Sequence, residues 1–434
     1  MKSKIAILSL AMVSIASAQQ SFYITGATAF RSAAIKAICS SYSATGLVGA
    51  FKKTDGTATN LQGADRQIIK GTFGSLPGIT TIYCSWNGSV EGVKALALNE
   101  NLPFLESTVT TSTVTTLATG GTDLLTGGTE TSTAADLAFS DVFKSSTPYS
   151  SATIFPPDAR VGVIAFTWVA NDGADPGLTN VTTQSARAIL TTGFQKLSLF
   201  SGVKADSDNS TGTPASNKRV FLSGRNDGSG TRTTFLAEVG YPIALPIKQF
   251  KATTTGVGAT LAISSLQLWP LGDGTNASTI WENNEAGNGG WFSGGSLTST
   301  MQGTSSSAAV VDENGDPAFA AAPVSVLGYQ STSDAASSIG GNARALGYNG
   351  FTVTYTSGAL SATTRAAITN GQYTMWGYEQ LYSKTAIDPL ATSGVSVIYT
   401  AIKTGCNALN LANSGIPLGE MTVSRTKDGG TVAP

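Results

Sequence analysis

A local pattern that recurs along the chain constrains its fold most. A short apolar run leads into a glycine turn and then into a run with helical spacing, at residues 22–38, 80–98 and 220–239. Thr28 is the expected N-cap of the first helix. Because alternating strands and helices form sheets covered by helices, the pattern predicts an α/β fold. Ligands of such folds bind at the carboxyl ends of the strands.

Residues 160–169 read RVGVIAFTWV, an apolar run typical of a strand buried on both faces. We also expect a helix over residues 183–190 and a strand over residues 324–328. Three polar segments interrupt the pattern and are predicted to be surface loops or insertions: residues 107–116, 206–218 and 272–303. The first of these, rich in threonine, could equally form an exposed β-hairpin.

The N-terminus has the features of a targeting segment. Lys2 and Lys4 precede an apolar run over residues 5–15, and Ala16-Ser17-Ala18 fits a signal-peptidase site. A membrane anchor is the alternative, but a span needs about 20 apolar residues. We therefore predict a signal peptide over residues 1–18 and an exported, periplasmic or extracellular protein without a membrane span.

Composition excludes several classes of function. Charged residues make up 12% of the chain, and the net charge of −1 becomes −3 once the two N-terminal lysines are removed. Nucleic-acid binding needs clustered lysine and arginine, so we do not expect it. The chain has no histidine, which excludes Ser-His-Asp and Cys-His catalysis and histidine-ligated metals.

Three cysteines are present: Cys39, Cys84 and Cys406. Their spacing gives no CxxC motif, so metal and redox roles are weakly supported. An exported protein can keep a disulfide, and a Cys39–Cys84 pair is one expectation. Three buried thiols that act as small apolar residues are an equal alternative.

The strongest chemical signal is RNDGSGT at residues 225–231. It follows a predicted strand and opens a helix, where free backbone N–H groups favour an anion. Ser229 and Thr231 supply hydroxyl groups, and Arg225 supplies a planar fork suited to oxyanions. Asp227 could hold the arginine by an ion pair. The alternative is a surface turn capped by serine.

Two further loops carry matching groups. Thr28, two residues after Gly26, and Ser89, directly after Gly88, each offer a hydroxyl at the start of a predicted helix, although either could be an ordinary cap. Asp141 is a lone carboxylate that follows a small apolar run, and it is a candidate to contact the ligand. The alternative is an ordinary surface aspartate in a loop. A carboxylate that faces an anion helps only if the ligand carries a proton, which phosphate does and sulfate does not.

Together these segments resemble the periplasmic phosphate-binding proteins of ABC transporters, over residues 23–430 with insertions. The motifs appear in the family's order: ITGATAF (24–30), WNGSVEGVKAL (86–96), LAFSDV (137–142), VTTQSARAILTTG (181–193), RNDGSGT (225–231), VLGYQS (326–331) and GQYTMWGYEQLY (371–382). The Arg-x-Asp-Gly-Ser-Gly-Thr loop is the most specific of them. The chain departs from the family in Ala29, which separates the hydroxyl from Phe30, and in the bulky Val90 and Glu91.

The resemblance implies which residues hold the ligand. The matching positions are Thr28, Ala29 or Phe30, Ser89, Asp141, Arg225, Ser229, Gly230 and Thr231, with Asp227 as the partner of the arginine. It implies that phosphate or a similar tetrahedral oxyanion is bound without chemistry, cofactor or metal. It also implies a monomer that delivers the ligand to an ABC transporter permease.

The resemblance further implies a two-lobed, type II periplasmic binding protein-like fold with mainly parallel sheets. We place the two hinge crossings near residues 160–168 and 324–334. Lobe one then comprises residues 19–165 plus 330–434, and lobe two residues 166–329. The anion is expected in the cleft between the lobes.

Two other functions compete with this hypothesis. The polar insertions, the low charge and Glu91 would suit a surface or matrix protein that reuses the scaffold for adhesion or for another ligand, such as a carbohydrate. Trp281 and Trp291 could stack on sugars, but packing is the more ordinary role. An enzyme is the least supported function, since the chain lacks histidine and a paired-carboxylate motif.

Overall fold

The computed structural model describes residues 19–53, 60–114, 128–207, 218–272, 280–281, 284–408 and 415–434. The predicted signal peptide lies outside the described residues, as do parts of the three polar segments. In the described part of the chain, no helix is long and apolar enough to cross a membrane.

Helices and strands alternate along much of the chain. The helices are α1 Arg31–Ser40, α2 Ser89–Leu98, α3 Thr183–Thr192, α4 Ser198–Ser201, α5 Gly230–Glu238, α6 Gly294–Gln302, α7 Thr332–Gly340, α8 Ala362–Thr369 and α9 Val395–Ala408. The strands of the first half are β1 Gln20–Gly26, β2 Val48–Lys52, β3 Arg66–Gly71, β4 Thr80–Ser85, β5 Asn101–Leu105, β6 Ser112–Thr113, β7 Glu130–Ala134, β8 Leu137–Ser140, β9 Arg160–Ala170, β10 Asn180–Val181 and β11 Phe194–Lys196. Those of the second half are β12 Arg219–Ser223, β13 Phe250–Thr255, β14 Ala262–Leu268, β15 Ala308–Val311, β16 Pro317–Ala322, β17 Ser325–Ser331, β18 Arg344–Ala345, β19 Gly347–Tyr348, β20 Phe351–Thr352, β21 Tyr355–Thr356, β22 Ala359–Leu360 and β23 Trp376–Ser383.

The predicted α/β class is confirmed by a 12-stranded sheet in the order β11-β12-β17-β9-β23-β8-β1-β4-β3-β2-β6, with β18 paired to β9. The sheet is mixed, which corrects the expectation of mainly parallel pairing. Parallel pairs join β1 to β4 and β8, and β12 to β17. The other pairs along this order are antiparallel, and they include those that β9 and β23 make between the parallel groups.

Strand β9 lies in the interior of this sheet and joins its two halves. Its first half pairs with β23, with Trp376 opposite Ala165. Its second half pairs with β17, with Ser331 opposite Phe166. The strand is buried except at Arg160, as its apolar sequence predicts. This arrangement is consistent with a two-lobed binding-protein fold, and the exact lobe boundaries stay a prediction.

The polar segments are partly structured. Residues 272–303, predicted to be a loop, contain α6, which is capped by the Ser293 side chain. In the threonine-rich segment, the described part includes β6, which pairs with β2. Strands β13–β16 form a separate four-stranded sheet, whose apolar residues pack with those of α6 in a second core.

The three cysteines are free and buried in the core, so the expected Cys39–Cys84 disulfide is wrong and the alternative of buried thiols holds. They lie on different elements, with Cys39 on α1, Cys84 on β4 and Cys406 on α9. Burial raises the pKa of the Cys39 thiol to about 12. Neutral thiols of this kind pack as small apolar groups.

Candidate functional site

The topology brings the candidate loops to one place. Strands β1 and β8 are parallel, and each is followed directly by a predicted site loop. Strand β12 runs opposite to β8, because three antiparallel pairs, β17–β9, β9–β23 and β23–β8, separate the two strands. The β8 group is joined to the first half of β9 through β23, and the β12 group is joined to its second half through β17, so the carboxyl ends of the two groups face each other across the middle of β9.

The first loop depends on Gly26. Its φ is +114°, and a Cβ there would lie 1.9 Å from the Phe139 carbonyl oxygen. Helix α1 begins only at Arg31 and has no side-chain cap, so the expectation that Thr28 is its N-cap is wrong. The Thr28 hydroxyl instead accepts a hydrogen bond from Nη2 of Arg225, at 3.0 Å.

Counted along the chain, the first loop follows β1, the second follows β4, the third carries Asp141 after β8, and the fourth is residues 225–231. The second loop is held against the fourth through its backbone. The N–H of Val90 donates to the carbonyl of Gly228, at 3.1 Å. Ser89 is the first residue of α2, and its hydroxyl donates to Oδ1 of Asp141. Glu91, expected to oppose an anion, lies 3.8 Å from the ammonium of Lys94 on the same helix.

Arg225 is fully enclosed by oxygen acceptors. Its Nε donates to the carbonyl of Trp291 at 3.0 Å, and Nη2 donates to that of Phe292 at 2.8 Å. Its Nη1 reaches the hydroxyl of Thr231 at 3.5 Å. Sequence reasoning missed the residue 291 and 292 carbonyls, since a backbone acceptor has no side-chain signature. The aromatic side chain of Trp291 packs on Trp269 instead of standing free for a sugar.

The fourth loop turns directly into α5. Ser229 caps this helix by accepting the N–H of Arg232 at 3.4 Å. Gly230 packs on both Asp141 and Ser89, because a Cβ built on it would lie 1.6 Å from Oδ1 of Asp141 and 2.5 Å from Oγ of Ser89. Asp227, the predicted partner of Arg225, accepts the N–H of Ile280 at 3.1 Å.

Asp141 lies at the centre of these groups and is 1% exposed. Burial raises the pKa of its carboxyl, while hydrogen bonding from the Ser89 hydroxyl, the charge of Arg225 and the Thr231 hydroxyl oppose the increase. The amino-terminal residues of α2 and α5 lie against it, where a negative charge is favoured. In this structure, the carboxylate of Asp141 therefore accepts hydrogen bonds from hydroxyls predicted to hold an anion and is stabilised by the charge of Arg225.

The structure thus brings most predicted site residues into one buried cluster: Thr28, Ser89, Asp141, Arg225, Gly230 and Thr231. Ser229 and Asp227 support the same loop. Ala29 and Phe30 are buried beside it, and the Phe30 ring packs on Phe139 with 6.0 Å between centroids. Among the described residues, no group of three or more cysteine, aspartate or glutamate side chains could hold a metal.

Two further groups hold the arginine loop from behind. The Tyr329 hydroxyl accepts the N–H of Arg225 at 3.1 Å, and the amide of Gln249 donates to the Arg225 carbonyl at 2.9 Å. Tyr329 lies in the VLGYQS segment noted in the sequence. Gln249 had no signal, because its contact depends on the fold bringing distant segments together.

Comparisons with known proteins add little evidence about the function of this site. No protein-family model matches the chain, and no curated protein does. Among solved structures, the chain is similar to PstS from Borrelia burgdorferi, with a TM-score of 0.33 and 12% identity over 84% of this chain and 87% of that one. A similarity this weak carries no argument, so the function must be argued from the cluster itself.

Proposed function

We propose that the protein is a solute-binding protein that captures a protonated tetrahedral oxyanion, such as inorganic phosphate, and does no chemistry on it. One observation carries the proposal. The carboxylate of Asp141 and the guanidinium of Arg225 meet in one buried cluster with the hydroxyls of Ser89 and Thr231.

This set of groups suits an anion that keeps a proton. The arginine, the two hydroxyls and the helix amino termini all donate to ligand oxygens. An ionised Asp141 can only accept, so it must receive a hydrogen from the ligand. Sulfate has no such hydrogen at neutral pH and would leave one negative charge against another.

Binding requires the loops to separate. A Cβ on Gly88 would lie 2.6 Å from the Gly228 carbonyl, and Gly230 already touches Asp141. The donors are meanwhile satisfied by internal oxygens. We therefore propose that the lobes open around β9, and that the ligand takes over the bond that Ser89 now donates to Asp141.

We further propose that the protein is exported, works as a monomer and passes its ligand to an ABC transporter permease. The amino-terminal pattern and the resemblance of the loop motifs support this role. A surface or matrix protein remains the second candidate. It is favoured by the fact that Arg225 already bonds three neutral oxygens, from Thr28, Trp291 and Phe292, so the cluster also serves as a structural link.

The test is thermal unfolding of the mature protein during a phosphate titration, with sulfate as the control anion. Phosphate at 100 times its Kd should stabilise the protein by about 2.7 kcal/mol. Arg225→Ala should abolish the shift, and Asp141→Asn should admit sulfate. Arg365→Ala removes a surface arginine that pairs with Glu420 and should keep the shift.

Each outcome separates the candidates. A shift with phosphate alone that Arg225→Ala removes supports the proposal. Equal shifts with both anions contradict the role of Asp141. No shift with either anion contradicts anion binding and favours the surface or matrix role, which retention in cell-surface fractions would then test.

A further inference from the structure

A second carboxyl group near the site is fully buried. Glu379 lies on central strand β23 and is 0% exposed. Among the residues that the structure describes, neither of its carboxyl oxygens has a hydrogen-bond partner. A buried ionised carboxylate without a partner is very unfavourable, so such a group keeps its proton instead. Burial, followed by the negative charge of Asp141, raises the pKa of Glu379 well above its ordinary value.

The sheet register places this group next to the candidate site. In the antiparallel pair of β23 and β8, Gln380 is opposite Ser140. Glu379 and Asp141 are the chain neighbours of this pair, and the negative charge of Asp141 acts on Glu379. On its other side, Glu379 is opposite Gly162, where a Cβ would lie 3.2 Å from the Phe30 ring. Glu379 therefore lies close to Asp141 and to the first loop.

The titratable groups around Glu379 do not favour its ionised form. Cys406 on α9 has its pKa raised by burial and by Glu379, and the pKa of Tyr382 on β23 is raised partly by the same carboxyl. Asp428, from the C-terminal segment, interacts with Asp141 and has its own pKa raised to about 7, mainly by burial.

Among the cations near β23, Arg425 lies over the ring of Trp376 and pairs with Glu238 at 3.1 Å. Arg225 and Arg160 are two others. Arg225 lowers the pKa of Asp141 instead of that of Glu379. Arg160 on β9 bonds Asp158, and its guanidinium lies over the ring of Tyr378. Tyr378 precedes Glu379 in the strand, so its side chain points to the other face. Within the described residues, none of these cations therefore compensates a charge on Glu379.

We propose that Glu379 is a proton-binding residue of the candidate site, and that anion binding requires its proton. This inference rests on the proposed function. The bound anion and Asp141 each carry negative charge, and a third one beside them would repel the ligand in a poorly screened interior. Where free protein has lost this proton, binding must take up one proton together with the anion.

The first experiment measures the Kd of inorganic phosphate by calorimetry between pH 8 and pH 10, where the ligand remains HPO4²⁻. The wild-type Kd should rise with pH, by up to about tenfold per pH unit once Glu379 ionises in the free protein. Glu379→Gln keeps the shape without the proton, so its Kd should stay flat. Glu420→Gln removes a surface carboxylate and should follow the wild type.

The second experiment needs no ligand. The pKa of Glu379 is higher in the folded than in the unfolded protein, so wild-type stability is lost as pH rises from the unfolded value towards the folded value. Glu379→Gln lacks this loss. Above pH 5, the ratio of its folding constant to that of the wild type should therefore grow by up to about tenfold per pH unit, until Glu379 also ionises in the folded protein.

The two experiments fail in distinguishable ways. A folding-constant ratio that does not change with pH shows that Glu379 is ionised and overturns the inference. Phosphate binding at pH 7 with parallel Kd curves for wild type and Glu379→Gln overturns the coupling alone. No binding at pH 7 overturns the proposed function and the coupling with it, even if the ligand-free ratio changes as expected.

Discussion

Gly230 gives a direct test of how the site is packed. It is the first residue of α5, and a methyl group added to it would lie 1.6 Å from Oδ1 of Asp141 and 2.5 Å from Oγ of Ser89. Ordinary contacts between non-bonded heavy atoms need about 3.5 Å. Gly230→Ala must therefore push the Asp141 carboxylate away by more than an ångström.

The magnitude follows from two costs and one gain. Overpacking a close contact costs about 1–3 kcal/mol. Losing the hydrogen bond from Ser89 to a charged carboxylate costs about 1.5–3 kcal/mol. Replacing a helical glycine by alanine returns about 1 kcal/mol or less. We expect Gly230→Ala to lower the free energy of unfolding by about 2–4 kcal/mol.

Gly295 provides the matched control. It lies in the first turn of α6, and the atom nearest to an added Cβ is Oγ of Ser293 at 3.7 Å. Gly295→Ala should be neutral or stabilise by about 0.4–1 kcal/mol. Both variants are compared with the wild type by urea unfolding without ligand. If Gly230→Ala is as stable as Gly295→Ala, the loops do not pack against each other as described, and the geometry of the site is wrong.

Two more predictions concern the rest of the core. Arg425 pairs with Glu238 at 3.1 Å, with side-chain exposures of 0% and 8%, so Arg425→Ala should lower the free energy of unfolding by about 3–5 kcal/mol. Replacing both residues by methionine should recover most of this loss, and no recovery would contradict burial of the pair. The three thiols should resist alkylation in the folded protein, and all three should react in denaturant without a reductant. If only one thiol reacts in denaturant, the other two form a disulfide.

Several helices and strands could be predicted from the sequence of the segment that forms them. The helix predicted over residues 183–190 is α3, which the capping box of Thr182 and Ser185 starts and Gly193 ends at a φ of +80°. The apolar run over residues 160–169 is β9 within one residue. In both cases the signal is contained in the segment itself, through caps, glycine and continuous apolar character.

The features of the fold and of the site that the sequence did not predict depend on contacts between distant segments. The sequence could not place β23 between β8 and β9, and that insertion adds two antiparallel pairs to a sheet that is mixed on both sides of it. Thr28 was expected to cap a helix because its local context suits a cap, yet its hydroxyl is used by Arg225. Glu379 lies in a recognised motif, but only the pairing of Gln380 with Ser140 brings it close to Asp141.

The position of β23 also determines the order in which the protein can assemble. A chain synthesised from its N-terminus contains β8 and β9 long before residues 376–383 exist. Until then both strands have an unpaired edge, and open edges of apolar strands promote aggregation. The sheet must remain in two parts through more than half of synthesis. A fragment that ends before Trp376 would therefore be two unclosed half-sheets, and not a shorter version of the same domain.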